Sequence, residues 1–511
     1  MTDWTSGYVA DIDYTFGYSS ELNPLEARLA FLHAGLVPPS HGTHCELGFG
    51  QGMSVNIHAA ASASSWHATD FNPAHAGFAQ SVARVSGADA RLTDQSFAEF
   101  CDRADLPDFD SIGLHGIWSW ISDANRTVIV DFIRRKLKVG GVLYISYNTQ
   151  PGWAAMVPVR DLLAEHVKVM GVAGQGIVSS IDGALDFAEK LFGANPRFAN
   201  AHPLTDGWLK NIQGRNRNYI AHEYFNRDWH PMSFSQMAQW MMPAKLTYAC
   251  SAHYHDDIYD INLTAPQQAL VKEIPDRMFR ESVRDFIVNQ GFRRDFWVKG
   301  ARQLSQAEQE GAIRAQRVML AQPRADVSLK VSGSSGEVTL RETVYAPVLD
   351  VLADHVPRTV GQIEQAVQGL GVSYEQVKQV VFVLAGTGSL AGVQEEALIP
   401  NARKLTDKLN AHLIDKARAS GAISYLASPV TGGGIHVNRF RQLFLLAIRE
   451  GKSEPAEWAS AAWQILAEQG ERIIADGAVL ETAEKNLEEL NRQALAFAEK
   501  HLPVLVALQI A

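Results

Sequence analysis

The sequence predicts an α/β fold, a seven-stranded and mostly parallel sheet with helices on both faces, followed by a winged-helix-like module and a helical C-terminal module. Three observations predict it. Between Thr43 and Tyr147, short apolar runs near 43–47, 66–70, 90–93, 110–114 and 141–147 alternate with helix-like segments. Such alternation implies right-handed crossovers and parallel strands. The first run ends in a loop with glycines at alternate positions, Gly48, Gly50 and Gly52, and glycine supplies the positive φ of a sharp strand-to-helix turn. Two further runs, 245–251 and 292–298, then supply the last strands, the second with the alternation of a half-exposed strand.

In chain order, residues 1–40 come first and are aromatic-rich, with Tyr8, Tyr14, Phe16 and Tyr18 ahead of a helical pattern at 24–36. These rings are read either as a lid over a bound ligand, with Tyr14 or Tyr18 against it, or as cover for the sheet edge. Ile129, Ile133 and Leu137 mark the helix before the fifth strand, and Lys138-Val-Gly-Gly141 is expected to cap it. Segment 151–215 reads as a helical insertion, with helices near 159–169 and 181–191. Helices containing Leu270 and Phe286 separate the last two strands.

From about 303 the chain becomes a connector rich in Gln, Ala and charge, with a turn at 331–336. Three short helices at 344–356, 359–367 and 373–384, then a hairpin at 389–393, form a winged-helix pattern. Between Arg341 and Pro400 there are only three basic residues against seven acidic ones, and a recognition helix without positive charge is a poor reader of DNA. That module is therefore expected to serve protein contacts or packing. From about 401 the chain reads as helical, and its apolar end is expected to be buried in this domain or in a homodimer interface.

Bulk properties bound the function. A chain of 511 residues exceeds one core, and boundaries are expected at 1–302, 303–400 and 401–511. A formal charge of -10 argues against nucleic acid as the main partner. Cys45, Cys101 and Cys250 are too scattered for a disulfide framework or zinc site. The first seven residues show neither a basic start nor an apolar signal core, and no apolar run approaches the ~18 residues of a spanning helix. A cytoplasmic protein without an integral membrane segment is expected. His253, His255, Asp256 and Asp257 are read as strand alternation with an exposed acidic turn, and no metal is expected.

The ligand is read from the glycine loop, Thr43-His-Cys-Glu-Leu-Gly-Phe-Gly-Gln-Gly52. A dinucleotide fingerprint puts its third glycine three residues after the second, whereas here it comes after two. Glu46 would repel a pyrophosphate at the following helix N-terminus. A cationic nucleoside, S-adenosylmethionine, suits it. Asp70, at the end of the second strand and followed by Phe71, is placed for the ribose hydroxyls. Asp94, Gln95 and Ser96, at the end of the third strand, are placed for the adenine, and Leu114 and His115 close the site after the fourth.

Together these features resemble a class I S-adenosylmethionine-dependent methyltransferase, with a Rossmann-like sheet. Leu114-His-Gly-Ile-Trp-Ser-Trp-Ile121, Ile145-Ser-Tyr-Asn-Thr-Gln-Pro-Gly-Trp153, Ala221-His-Glu-Tyr-Phe225 and Asp285-Phe-Ile-Val-Asn-Gln-Gly-Phe-Arg-Arg294 narrow the resemblance to bacterial methyltransferases carrying a methyltransferase regulatory domain, expected here over about 216–302. That group includes lysine methyltransferases of outer-membrane proteins. The resemblance is strong over residues 8–300 and looser beyond. Relatives usually read Glu-Leu-Gly-Cys-Gly in the cofactor loop, where this chain has Phe49, a bulkier residue that leaves the glycines intact.

Methyl transfer to an amine needs alignment, exclusion of water and a neutral nucleophile, and apolar surroundings disfavour the charged lysine. Trp118, Trp120, Tyr147 and Trp153 lie in the loops after the fourth and fifth strands. Tyr147 or Asn148 is placed to orient the nucleophile and Trp118 to wall the pocket. His115 is a proton acceptor or a backbone support for the cofactor. Three functions follow as alternatives: N-methylation of protein lysine, methylation of a small molecule or surface-polysaccharide sugar, and a non-catalytic cofactor-sensing scaffold.

Overall fold

The computed structural model describes residues 5, 7–9, 12, 14–171, 176–475 and 477–511; residues 1–4 and 6, on which the targeting expectation rests, lie outside them. Strand β1 (Thr43–Leu47) leads into helix α1 (Met53–Ser62), β2 (Ser65–Thr69) into α2 (Pro73–Ser86), β3 (Ala90–Thr93) into α3 (Phe97–Cys101), and β4 (Phe109–Leu114) into α4 (Asp123–Lys136), before β5 (Leu137–Asn148). Local chemistry sets these starts. The Asn72 side chain accepts the Ala74 N–H ahead of Pro73, Ser96 and Glu99 form a capping box, and the Ser122 hydroxyl accepts the Asn125 N–H, each satisfying donors that a helix start leaves unpaired.

Strands β6 (Leu246–Ser251) and β7 (Phe292–Lys299) complete a seven-stranded sheet of order β3-β2-β1-β4-β5-β7-β6. The first five strands run parallel and β7 is antiparallel to both its neighbours. The strand order turns back on itself between β1 and β4, the switch point at whose carboxyl ends ligands bind in open α/β sheets.

The glycines at 140 and 141 do not cap α4. Leu137 is buried and pairs with Phe109 in β4, after which the register shifts to Ser111 opposite Val142, so Lys138–Gly141 bulge within the start of β5. The expected insertion is helical, with Val157–Met170, Ile177–Gly193 and Leu204–Gln213 packed around Leu163, Ile181, Leu185 and Leu209, and the short helix Arg197–Ala201, which buries no residue, between the last two.

In the middle region the helices are Glu342–Val351, Val360–Val367 and Tyr374–Gly386. The expected hairpin at 389–393 is instead one strand, Leu390–Gly392, pairing with Arg317–Leu320, which also pairs with Arg358–Thr359. The segment read as a connector thus supplies the central strand of a three-stranded sheet. The expected turn at 331–336 closes a hairpin of Lys330–Gly333 and Gly336–Thr339.

The C-terminal region is helical but carries a hairpin, Tyr425–Ser428 with Gly433–His436, that periodicity did not predict. The apolar end forms Leu502–Ala507, and Val504, Leu505, Leu508 and Ile510 are buried inside this region's own core. That core also takes Met53, Ile57, Ala60 and Ala61 of α1, while residues of Pro24–His33 join the core of the middle region. Among the described residues no helix is long and apolar enough to cross a membrane, and no group of three or more His, Cys, Asp or Glu residues could hold a metal. The turn at 254–257 is not the exposed acidic loop expected: His255 is buried, and Asp256 bonds His253 and pairs with Arg284. The three cysteines are free and buried.

Candidate cofactor and acceptor site

The loop between β1 and α1 floors a cleft at the switch point. Gly48 and Gly52 have φ of 76° and 70°, values that side chains other than glycine seldom adopt. A Cβ on Gly48 would lie 2.4 Å from Ile117 Cδ1 and one on Gly52 2.5 Å from Ala79 Cβ. Gly52 therefore serves the packing of α1 on α2 and lies away from the cleft, whereas Gly48 and Gly50 line it. The Gly50 N–H donates to Asp70 Oδ2 at 2.8 Å, and the Asn72 N–H donates to Oδ1 at 3.0 Å. His75 Nδ1 sits 3.3 Å from Oδ1. Asp70 thus locks the loop while lining the cavity.

The cavity holds about 300 Å³. Glu46, Asp70, Phe71, Gln95, Ser96 and His115, all expected on sequence grounds, line it, and so does Tyr14. The Ser96 N–H and hydroxyl are both taken by Glu99, so this serine shapes the pocket end by capping α3. Tyr8 meets Phe71 edge-on with centroids 5.7 Å apart, and Tyr14 meets His222 edge-on at 5.0 Å. The N-terminal aromatics therefore close over the cleft. Phe16 packs on Phe78 instead.

Charge in the cavity has one sign. Glu46, Asp70 and Asp228 line it, and among the described residues no lysine or arginine does. Glu46 is 3 % exposed and its Oε2 has no hydrogen-bond partner. Burial, and then the charge of Asp70, pushes its carboxyl up to about 8. A buried acceptor without a donor is costly, and a cationic ligand supplies what is missing. The residues therefore fit S-adenosylmethionine: Glu46 is suited to its positive charge, Asp70 to the ribose hydroxyls, and Gln95 and Phe97 to the adenine end.

His115 shares a 2.7 Å hydrogen bond between Nδ1 and the Tyr144 hydroxyl. Burial lowers its pKa against the opposing pull of Glu21, which leaves a neutral imidazole at the cleft.

Several expected residues lie elsewhere. Leu114 is fully buried in the core beneath the cleft, and Asp94 is exposed outside it. Trp118 is fully buried, its indole N–H donating to Met232 Sδ at 3.2 Å. The Tyr147 hydroxyl donates to Asp295 Oδ2 at 2.7 Å within a buried network that includes Arg293. Asn148 is buried beside it, and its N–H is held by the Ser119 hydroxyl. Trp153 packs edge-on against Trp208 of the helical insertion and against Trp229 beyond it. None of these lines the cavity. Trp120 does, through the Trp118–Trp120 3-10 turn: side chains two positions apart on such a turn diverge, so Trp118 enters the core as Trp120 faces the cleft. Tyr8, Asn125 and Asp228 also line it; the one local trace of Asn125 is the Ser122 hydroxyl that caps its N–H at a helix start.

Residues 216–299 match the family model for a predicted methyltransferase regulatory domain. The chain is 37% identical to the uncharacterized protein sll1526 of Synechocystis sp. over 513 aligned residues, covering 99% of this chain and 100% of that protein. It is 26% identical over 198 residues to the uncharacterized protein RP789 of Rickettsia prowazekii, covering 38% of this chain and 35% of that one. Among solved structures, PKMT2 from Rickettsia typhi in complex with AdoHcy shares the fold at a TM-score of 0.68 and 16% identity, over 95% of this chain and 98% of that one.

Proposed function

We propose, from the premise that this chain belongs to the class I S-adenosylmethionine-dependent methyltransferases that carry a methyltransferase regulatory domain, that it N-methylates lysine side chains of protein acceptors. One observation carries the reading: a cavity walled by aromatic rings and three carboxylates, without a lysine or arginine among its described lining residues, favours a cationic cofactor and an acceptor that arrives as an ammonium. The resemblance to lysine methyltransferases and the AdoHcy held by the Rickettsia typhi protein support it. The three units 1–302, 303–400 and 401–511 are proposed as catalytic, middle and C-terminal domains of a cytoplasmic enzyme.

S-adenosylmethionine, bound between Glu46, the glycine loop and Asp70, supplies an activated methyl group. A lysine has a pKa of about 10.4 in water, and the closed aromatic cleft lowers it by disfavouring the charged form. Tyr8, Tyr14 and Tyr18 exclude water, and Trp120 walls the acceptor side. The amine, once neutral, would give its lone pair to the methyl carbon as the carbon–sulfur bond breaks with its pair left on sulfur, and the product would leave as the methylammonium, so the one proton to be moved is that of the arriving ammonium. In the tautomer whose Nδ1–H donates to the Tyr144 oxygen, His115 Nε2 is the atom suited to take it.

The test is incubation of the purified full-length protein with methyl-tritiated cofactor and either an outer-membrane protein extract or a small-metabolite pool, followed by acid hydrolysis. Label in methyl-lysine is the expected result. Label confined to metabolites overturns the lysine acceptor, and cofactor binding without transfer to either pool overturns catalysis in favour of a sensing scaffold.

A further inference from the structure

A second cavity, of about 640 Å³, opens where the N-terminal segment, the middle region and the C-terminal region meet. Its walls include Ser20 and Glu21 from the first, Asp326 and Thr387 from the second, and His436 and Arg441 from the third. It adjoins the cofactor cleft across a single turn. Tyr18 lines both spaces; Ser19 and Leu22 line the cleft, while Ser20 and Glu21 between them line the second cavity. The 3-10 turn Ser20–Leu22 is the partition.

That partition has the chemistry of an ammonium passage. The rings of Tyr18 and Tyr425 lie 4.8 Å apart at 34°, and aromatic faces attract a desolvated cation. Glu21, whose side chain is 14% exposed, stands beside them and takes Arg294 Nη1 at 2.8 Å through Oε1. Its charge is felt at the Tyr425 hydroxyl, which rises through burial and then through Glu21. The Tyr18 hydroxyl is tied to the C-terminal hairpin, accepting the Gly434 N–H at 2.7 Å, and lies 3.0 Å from His58 Nε2. Tyr18 is thereby fixed in place while still bounding both cavities.

We propose that the second cavity is the acceptor's entry: a polypeptide segment lies between the middle and C-terminal regions, and its lysine side chain passes Tyr18, Tyr425 and Glu21 into the cofactor cleft. This rests on the lysine reading above. It also gives the two C-terminal regions a task, since together with one N-terminal turn they build the vestibule.

Two variants of the full chain test it, with outer-membrane protein extract as the acceptor. Thr387 is exposed at the cavity rim and all three native cysteines are buried, so Thr387→Cys can be labelled selectively with a bulky maleimide. The labelled variant is expected to transfer methyl to lysine at least about tenfold more slowly than the same variant unlabelled, with cofactor affinity by calorimetry unchanged. Tyr425→Ala is expected to raise the half-saturating acceptor concentration about tenfold, the scale of one cation–π contact, with Tyr425→Phe close to the parent chain. Equal rates with and without the maleimide, or an unshifted Tyr425→Ala, overturn the entry route while the lysine reading stands. A parent chain that binds cofactor but never labels lysine overturns that reading, and this proposal with it.

Discussion

The Gly50 N–H donates to Asp70 Oδ2 at 2.8 Å, joining the turn after the first strand to the carboxylate that ends the second. Cavity lining and loop geometry therefore share one side chain. Asp70→Ala is expected to weaken S-adenosylmethionine binding by about 1.5 to 3 kcal/mol, the worth of a charged hydrogen-bonding group. Calorimetric titration checks it; an unchanged dissociation constant removes Asp70 from the site.

Glu46 makes binding depend on pH. In the cofactor-free protein its carboxyl titrates at about 8 rather than 4.5, so between those values the folded state holds a proton that the unfolded chain does not. Stability of the cofactor-free protein therefore falls as pH rises across that window. A cationic ligand favours the ionised form, so cofactor affinity is expected to rise with pH up to about 8, by at most about tenfold per unit. Glu46→Gln should flatten the affinity profile, remove this carboxyl's share of the stability profile, and weaken binding at pH 8. A parent chain whose affinity is level from pH 6 to 8.5 contradicts this.

Gly48→Ala combines a positive φ with a 2.4 Å approach to Ile117 Cδ1. The expected loss is about 1–3 kcal/mol of stability, read as a lowered unfolding midpoint, together with weaker cofactor binding. Adding Ile117→Ala should recover the part due to the clash and leave the backbone part.

Tyr147→Phe should act on the fold rather than on the chemistry. It leaves buried Asp295 without the 2.7 Å donor, at a cost of about 1–3 kcal/mol, while kcat per folded molecule stays at the parent value. A large fall in kcat without a change in unfolding midpoint would return Tyr147 to the reacting centre.

The strand positions, the glycine turn and the place of Asp70 at the end of the second strand were legible because they rest on local periodicity and short spacing. Trp118 and Trp120 were not distinguishable, since both are indoles on one loop and only the turn decides which faces the core. Tyr147 was misplaced for a related reason: a central strand is covered on both faces, so alternation does not tell cleft from core, and its partner Asp295 lies 148 residues away. Asp228 likewise reaches the cleft from a distant part of the chain. The hairpin at 425–436 left a readable trace, Thr431-Gly-Gly-Gly434, a turn signal between two short apolar runs that the surrounding helical pattern masked.

The helix that follows the glycine turn keeps one side against the sheet and lends Met53, Ile57, Ala60 and Ala61 to the C-terminal core. Severing the chain near residue 302 would strip that side bare and unseat the turn whose Gly50 N–H meets Asp70. A shortened enzyme of this kind should clump rather than work, so any evolutionary trimming of the tail has to rebuild this helix first.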